Sequence, residues 1–162
     1  MRNVFVSYSH RLDQSAADKF RDKFSIDEGV FSDRSLEDKD IGHLTDDTIK
    51  NKYIKPRIKN SSVTIILIGK ETGGRWWCDW EIYYSLLKTT NNDRNVLLGI
   101  LLPNKQHHIP ARLEKNKHMG KIIDMPSNYR ELEDEIEEVY GLRDGQPNLR
   151  DDLRQRNSYI YY

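Results

Sequence analysis

The chain has a single cysteine, Cys78, among its 162 residues. One thiol excludes an intrachain disulfide and any zinc site built on several thiolates. Charge of one sign is not in excess either, since 26 Lys and Arg balance 26 Asp and Glu. A protein that grips duplex nucleic acid normally carries a basic surplus, so that partner class is excluded. Long hydrophobic runs are missing as well. The longest, Val96 to Leu102, is interrupted by Gly99 and stopped by Pro103, far too short to cross a bilayer. No basic start followed by an apolar run marks a secretory signal, so no membrane partner is expected and the cytosol is the simplest compartment. Internal repeats and low-complexity tracts are absent. The length suits one domain, burying roughly 68–70% of the surface its unfolded chain exposes.

What is present alternates between two periods. Asn3 to Tyr8 reads as a first strand, and Asp13 can cap a helix whose buried stripe is Ala16, Ala17, Phe20 and Phe24. Val30-Phe31 reads as a second, very short strand, followed by a charged loop from Asp33 to about Gly42. Thr45 or Asp46 opens a helix carrying Ile49, Tyr53 and Ile58, with a kink or an early end expected near Lys55 because of Pro56. Ser62 to Gly69 is a fully buried strand, short, β-branched and closed by Gly. Gly73-Gly74 bends the following loop, and a helix covers roughly Trp77 to Lys88. Val96 to Leu101 is the fourth strand and Lys121 to Asp124 a short edge strand. Asn128 and Glu131 have capping-box spacing, opening a helix that buries Tyr129, Leu132, Ile136 and Val139 and stops at Gly141. Strands alternating with helices predict a parallel sheet with helices on both faces. Residues 1–141 form the domain, and 142–162 are a polar tail that is either docked on it or exposed.

Several chemistries of such folds are ruled out by missing marks. Ser7-Tyr8-Ser9 and Gly69-Lys70 stand where a phospho-receiver needs carboxylates. Thr64 and Glu71 stand where a P-loop needs a glycine and a hydroxyl. Neither G-x-G-x-x-G nor G-x-S-x-G occurs, which removes a Rossmann dinucleotide grip and the common hydrolase elbow. There remains Trp77-Cys78-Asp79-Trp80-Glu81, a carboxylate among aromatic rings at a helix opening. It follows a buried strand and a short loop, the place where open α/β sheets bind ligands. Glu81 is therefore either an ordinary solvated helix residue with tryptophans in the core, or the centre of a site for a flat cationic or heteroaromatic substrate. Trp77 lies one turn before Glu81 and Tyr84 one turn after, so the three share a helix face. Cys78 has no evident basic partner that would make it a nucleophile. His107-His108 lacks a third ligand for a metal, and none is expected. His10 and His43 could approach the pocket through the loops after the first and second strands, while Trp76 and Trp80 read as packing and Glu131 to Glu138 as a solvated helix face.

Taken in order, these pieces resemble the TIR and TIR-like domain family. Phe5-Val6-Ser7-Tyr8-Ser9 is similar to the family's opening strand, Asp13 to the acidic residue a few places on, and Val30-Phe31-Ser32-Asp33 to the second strand and its closing Asp. Gly42 fits the glycine of the next loop, Ile49, Ile58 and Ser61 or Ser62 the helix leading into the third strand, and Trp77-Cys78-x-x-Glu81 the segment whose glutamate is catalytic in enzymatic members. The small form with Arg75-Trp76-Trp77 before the motif is most similar to the bacterial TIR-like proteins of Thoeris anti-phage defence.

The resemblance implies a flavodoxin-like three-layer α/β sandwich around a mostly parallel sheet of about five strands. It also implies an enzyme with NAD as substrate, no resident cofactor, and a cyclic ADP-ribose-type product read by a downstream effector protein. Self-association and a phage-derived activator would accompany that role. Glu81 would be catalytic, stabilising positive charge on the ribose. Ser7 and Ser9 would bind ribose or phosphate, or else satisfy backbone groups at the strand end. Asp33 would orient the loop or contact ribose, and Trp77 would stack on a ring or wall the pocket with Tyr84 beside it. The competing expectations are a catalytically silent TIR-like scaffold acting by assembly, a nucleotide sensor without turnover, and, more distantly, a nucleoside-transferring enzyme.

Overall fold

A computed structural model describes residues 1–32, 44–88, 93–149 and 152–156. Asp33, Gly42 and His43 lie outside these. Four strands, β1 (Val4–Ser7), β2 (Val63–Ile68), β3 (Val96–Leu101) and β4 (Gly120–Asp124), form one sheet in the order β1-β2-β3-β4. All three pairings are parallel, with Ser7 beside Ile66, Ile68 beside Leu101, and Leu101 beside Asp124. Parallel neighbours need crossovers, and helices supply them on both faces.

Alternate residues of each strand enter opposite layers. Val4, Val6, Ile65, Leu67, Leu98 and Ile100 meet Phe20 and Phe24 of α1 (His10–Phe24) and Leu132, Ile136 and Val139 of α6 (Tyr129–Tyr140). On the other face Phe5 joins Trp76, Trp77 and Trp80 of α4 (Trp76–Leu86), while Ile66, Ile68 and Leu97 join Ile82, Leu86, Leu113 and Met119. The three-layer α/β sandwich expected from the alternation is what the chain adopts.

Four local expectations are corrected. Val30-Phe31 is not a strand: Glu28–Val30 is a 3₁₀ turn, and Phe31 makes one isolated parallel bridge with Val6. The Asp27 carboxylate accepts from Gly29 N–H at 2.7 Å, and the Arg57 guanidinium donates to the Phe31 carbonyl at 2.9 Å, so the groups a ladder needs are taken. The sheet therefore has four strands rather than five among the described residues, with Phe31 marking the fifth place. Asp13 does not cap α1. Ser9 occupies the N-cap, and the Asp13 side chain is buried on Lys105.

Thr45 caps the next helical segment, its Oγ1 accepting from Thr48 N–H at 3.1 Å. That segment runs through α2 (Asp46–Thr48), a π-helical stretch (Ile49–Ile54) and α3 (Lys55–Ile58) without ending at Lys55. Pro56 cannot donate a backbone bond, and the wider π turn just before it accommodates the break in the ladder. The helix from the WCxxE segment begins at Trp76 and stops at Leu86, short of Lys88. A further short helix, α5 (Ala111–Glu114), lies between β3 and β4. The α6 cap is as read from sequence, with Asn128 Oδ1 accepting from Glu131 N–H at 3.0 Å; the Glu131 carboxylate reaches back to Ser127 N–H at 2.7 Å.

Beyond Gly141 the chain stays on the domain where it is described. Asn148 N–H donates to Asn116 Oδ1 at 2.7 Å, and Leu153 packs on the tryptophan cluster. No helix among the described residues is long and apolar enough to cross a membrane.

Candidate active site at the carboxyl edge of the sheet

The loop from β2 to α4 sets the site. Thr72 Oγ1 accepts from Gly69 N–H at 2.8 Å and donates to the Leu67 carbonyl at 3.3 Å, folding the chain sharply at the strand exit. Gly73 N–H donates to the His108 carbonyl at 2.7 Å. A Cβ at Gly73 would stand 2.8 Å from that carbonyl and from that of Ile109, so only glycine lets the two loops approach so closely. A 3₁₀ turn, Thr72–Gly74, then delivers Trp76 as the first residue of α4. Asp79 in the first turn complements the positive end of the helix dipole.

α4 is apolar nearly all round, as a helix buried on both sides must be. Trp76, Trp77, Cys78, Trp80, Ile82 and Leu86 are buried, and so is Glu81, at 1% exposure. The Glu81 carboxylate accepts a 2.8 Å hydrogen bond from Ser7 Oγ across 74 residues of sequence. Ser7 is the last residue of β1, so the pair sits at the carboxyl edge of the sheet. The Cys78 thiol, fully buried, is pushed far above its ordinary value by burial and next by the charge of Glu81. It stays protonated, which removes it as a nucleophile.

Trp77 contributes differently from a free stacking platform. Its ring is 1% exposed and lies edge-on to Trp76 at 5.0 Å, and its Nε1–H donates to Ser32 Oγ at 2.8 Å. The same hydroxyl shares a 3.0 Å hydrogen bond with His10 Nε2. Ser32 thus joins α4 to the start of α1, and residues 33–43 follow directly from it. Ser32 and His10 form part of the site; the sequence offered His10 as a residue able to approach the pocket and did not single out Ser32. The one available signal was the Ser32 position just before Asp33.

Ser9, also buried, has a hydroxyl with no hydrogen-bond partner among the described residues. Buried hydroxyls are normally satisfied, so this one has room for a further hydrogen bond at the strand exit. Tyr84 is half-buried, with ring contacts to Trp80 at 6.3 Å and Tyr83 at 5.1 Å. Partial burial, then Tyr83, Asp46 and Asp47, push its phenol up to about 12, so it remains a neutral hydroxyl. Asp33 lies outside the described residues. Among the described residues no three His, Cys, Asp or Glu side chains come together as metal ligands. His107 bonds the Leu102 carbonyl at 2.8 Å.

Two cavities flank the cluster. One of about 590 Å³ is lined by Tyr8, Phe31, Ser32, Arg21 and Arg57 among others. Another of about 380 Å³ is lined by Leu12, Asp13, Lys70, Lys105 and Gln106. Glu81 lines neither.

Chemically the cluster offers one fixed carboxylate, a hydroxyl that orients it, a second hydroxyl awaiting a partner, and an aromatic wall. The family described as Thoeris protein ThsB, TIR-like domain, matches residues 5–107, a span that holds β1, β2, β3, α4 and every residue of this cluster. The chain belongs to that Thoeris TIR-like domain family, a family of anti-phage defence.

Proposed function

We propose that the chain is an NAD-consuming enzyme that cleaves the bond between nicotinamide and ribose. The observation that carries this reading is the Ser7–Glu81 hydrogen bond at the carboxyl edge of the sheet, near a Ser9 hydroxyl that has no partner among the described residues. Nicotinamide in NAD is already cationic, so it departs with the bonding electron pair and needs no general acid. The barrier lies in the positive charge that develops on the ribose, as in glycoside hydrolysis. A single ionised carboxylate, held in place before the reaction, stabilises that charge without reorganising. Glu81 supplies it, Ser7 fixes its orientation, and Ser9 donates to a ribose or phosphate oxygen.

Water adding its oxygen to the ribose carbon, with loss of a proton, gives ADP-ribose. Attack by an adenine nitrogen or a ribose hydroxyl, which loses its proton, takes up no water and gives a cyclic product one water lighter than ADP-ribose. In the defence setting this product is the signal that a downstream effector protein reads, and self-association or a phage-derived activator switches the enzyme on. Asp33, from the segment after Ser32, contacts ribose or orders that segment. Tyr84 and Trp77 complete the wall.

One observation favours the catalytically silent scaffold instead. At 1% exposure, Glu81 bonded to Ser7 is also what a purely structural buried pair looks like. Incubating the full chain with NAD, with and without a candidate phage protein, and weighing the products by mass spectrometry separates the two. The enzyme reading predicts free nicotinamide and an ADP-ribose-type product in at least one condition. Intact NAD in every condition contradicts it and supports the scaffold.

A further inference from the structure

The carboxyl edge carries a second cluster that the Glu81 chemistry does not use. Asp13, one turn into α1, is 1% exposed and ties that helix to two loops. A Cβ at Gly69, just after β2, would lie 2.9 Å from Asp13 Cγ, so the carboxylate occupies the space a side chain at 69 would fill. Lys105, from the loop after β3, places Nζ 3.0 Å from Asp13 Oδ1. The other oxygen, Oδ2, is buried without a hydrogen-bond partner among the described residues. Burial pushes the Asp13 carboxyl up, and Lys105 offsets only part of the rise. A buried charge that the fold does not fully satisfy implies a use for the group it holds.

That group is Lys105. Its side chain is 36% exposed, and two of its three N–H donors remain beyond the one given to Asp13. It faces the cavity of about 380 Å³ together with Lys70, which is exposed and has no ion-pair partner among the described residues. Two ammonium groups against one carboxylate give this cavity a positive excess in a chain whose net charge is zero. The cavity lies at the same carboxyl edge of the sheet as the Glu81 pair: Lys70 follows β2, Lys105 follows β3, and Ser7, which holds Glu81, ends β1.

We propose that Lys70 and Lys105 bind the phosphate groups of the ligand whose ribose meets Glu81, with Asp13 as the positioning residue that holds Lys105 over the cavity. The identity of that ligand as a dinucleotide rests on the NAD reading; the phosphate site itself does not. The start of α1 and the loops after β2 and β3 thus hold a diphosphate at the sheet edge that carries Glu81, and the lysines set a preference for phosphorylated nucleotides over free nucleosides.

The test is calorimetric titration of the full chain with ADP-ribose, with inorganic pyrophosphate, and with adenosine as the phosphate-free control. A Lys70→Met/Lys105→Met double variant is expected to lose about tenfold in affinity per lysine for the two phosphate ligands, and nothing for adenosine. Lys70→Arg/Lys105→Arg keeps the binding. Asp13→Asn distinguishes positioning from charge: removing a nearby negative charge tightens anion binding if only the field matters, and weakens it if Asp13 holds Lys105 in place. Lysine-dependent pyrophosphate binding with no ADP-ribose binding upholds the phosphate site and removes the dinucleotide reading. Equal affinity of the wild type and the double Met variant, or no binding of either phosphate ligand, overturns the proposal.

Discussion

Buried polar side chains are where this molecule departs from what stability alone would select. Asp13 gives a measurable example. Its carboxyl is raised above the ordinary value of 3.8 by burial, so the folded state prefers the proton. The stability from this preference is fully present below pH 3.8 and is lost as pH rises through the higher value in the folded state. Asparagine mimics the protonated form at every pH. Urea unfolding of Asp13→Asn and wild type from pH 3.5 to 7 is therefore expected to show the variant gaining on the wild type as pH rises. A difference that stays flat with pH contradicts the assignment. Cys78 offers a second check at this scale. Buried and held as the neutral thiol, it is expected to resist maleimide in the native chain and to react fully once urea unfolds it. Rapid labelling of folded protein contradicts that placement.

Among the elements, α4 decides the site, and its position is fixed by polar contacts that no local pattern encodes. Asp79 accepts from Arg112 at 2.7 and 3.1 Å and from Arg154 N–H at 2.9 Å. Trp80 Nε1–H donates to the Arg154 carbonyl at 2.7 Å, and Arg154 donates to the Gly73 carbonyl at 2.9 Å. Residues 152–156 are thus a strap across the start of α4, and Arg156 continues it to the Leu44 carbonyl and Asp46. Asp79→Ala leaves the Arg112 guanidinium buried without its carboxylate, at a cost of about 3 kcal/mol. Asp79→Ala/Arg112→Met should recover most of that loss, since replacing both partners removes the stranded charge. Chemical denaturation reads both, and equal losses in the single and double variants contradict the argument.

The same contrast explains what the sequence made legible. β2, β3 and the capped α6 could be read because their signals are local: β-branched runs, a Gly or Pro stop, an Asn three residues before a Glu. Val30-Phe31 was misread as a strand because Arg57, 26 residues on, takes the Phe31 carbonyl. The Ser7–Glu81 pair was half legible. Each residue stood at a recognisable strand exit or helix opening, but their meeting spans 74 positions. His10 was legible as a residue able to approach the pocket, though not its bond to Ser32; Ser32 and the Arg154 strap were not legible, since each acts only through partners distant in sequence.

At the scale of the whole molecule, a parallel sheet delivers β1, β2 and β3 to one edge, and both polar clusters lie there. Beneath that edge, three apolar clusters fill the two interlayer spaces, and the edge itself carries two of the buried polar atoms that have no hydrogen-bond partner among the described residues. Ser9 Oγ and Asp13 Oδ2 are the examples. A fold held by its core can carry such unsatisfied groups, and a site for a sugar and its phosphates needs them. The most direct measurement is nicotinamide release from NAD by wild type and Glu81→Gln under the conditions in which the wild type is most active, with thermal unfolding of both run alongside. The account predicts that release falls by at least about 10²–10³-fold in the variant while its unfolding stays close to that of the wild type. Release at an undiminished rate from a folded Glu81→Gln chain would contradict it.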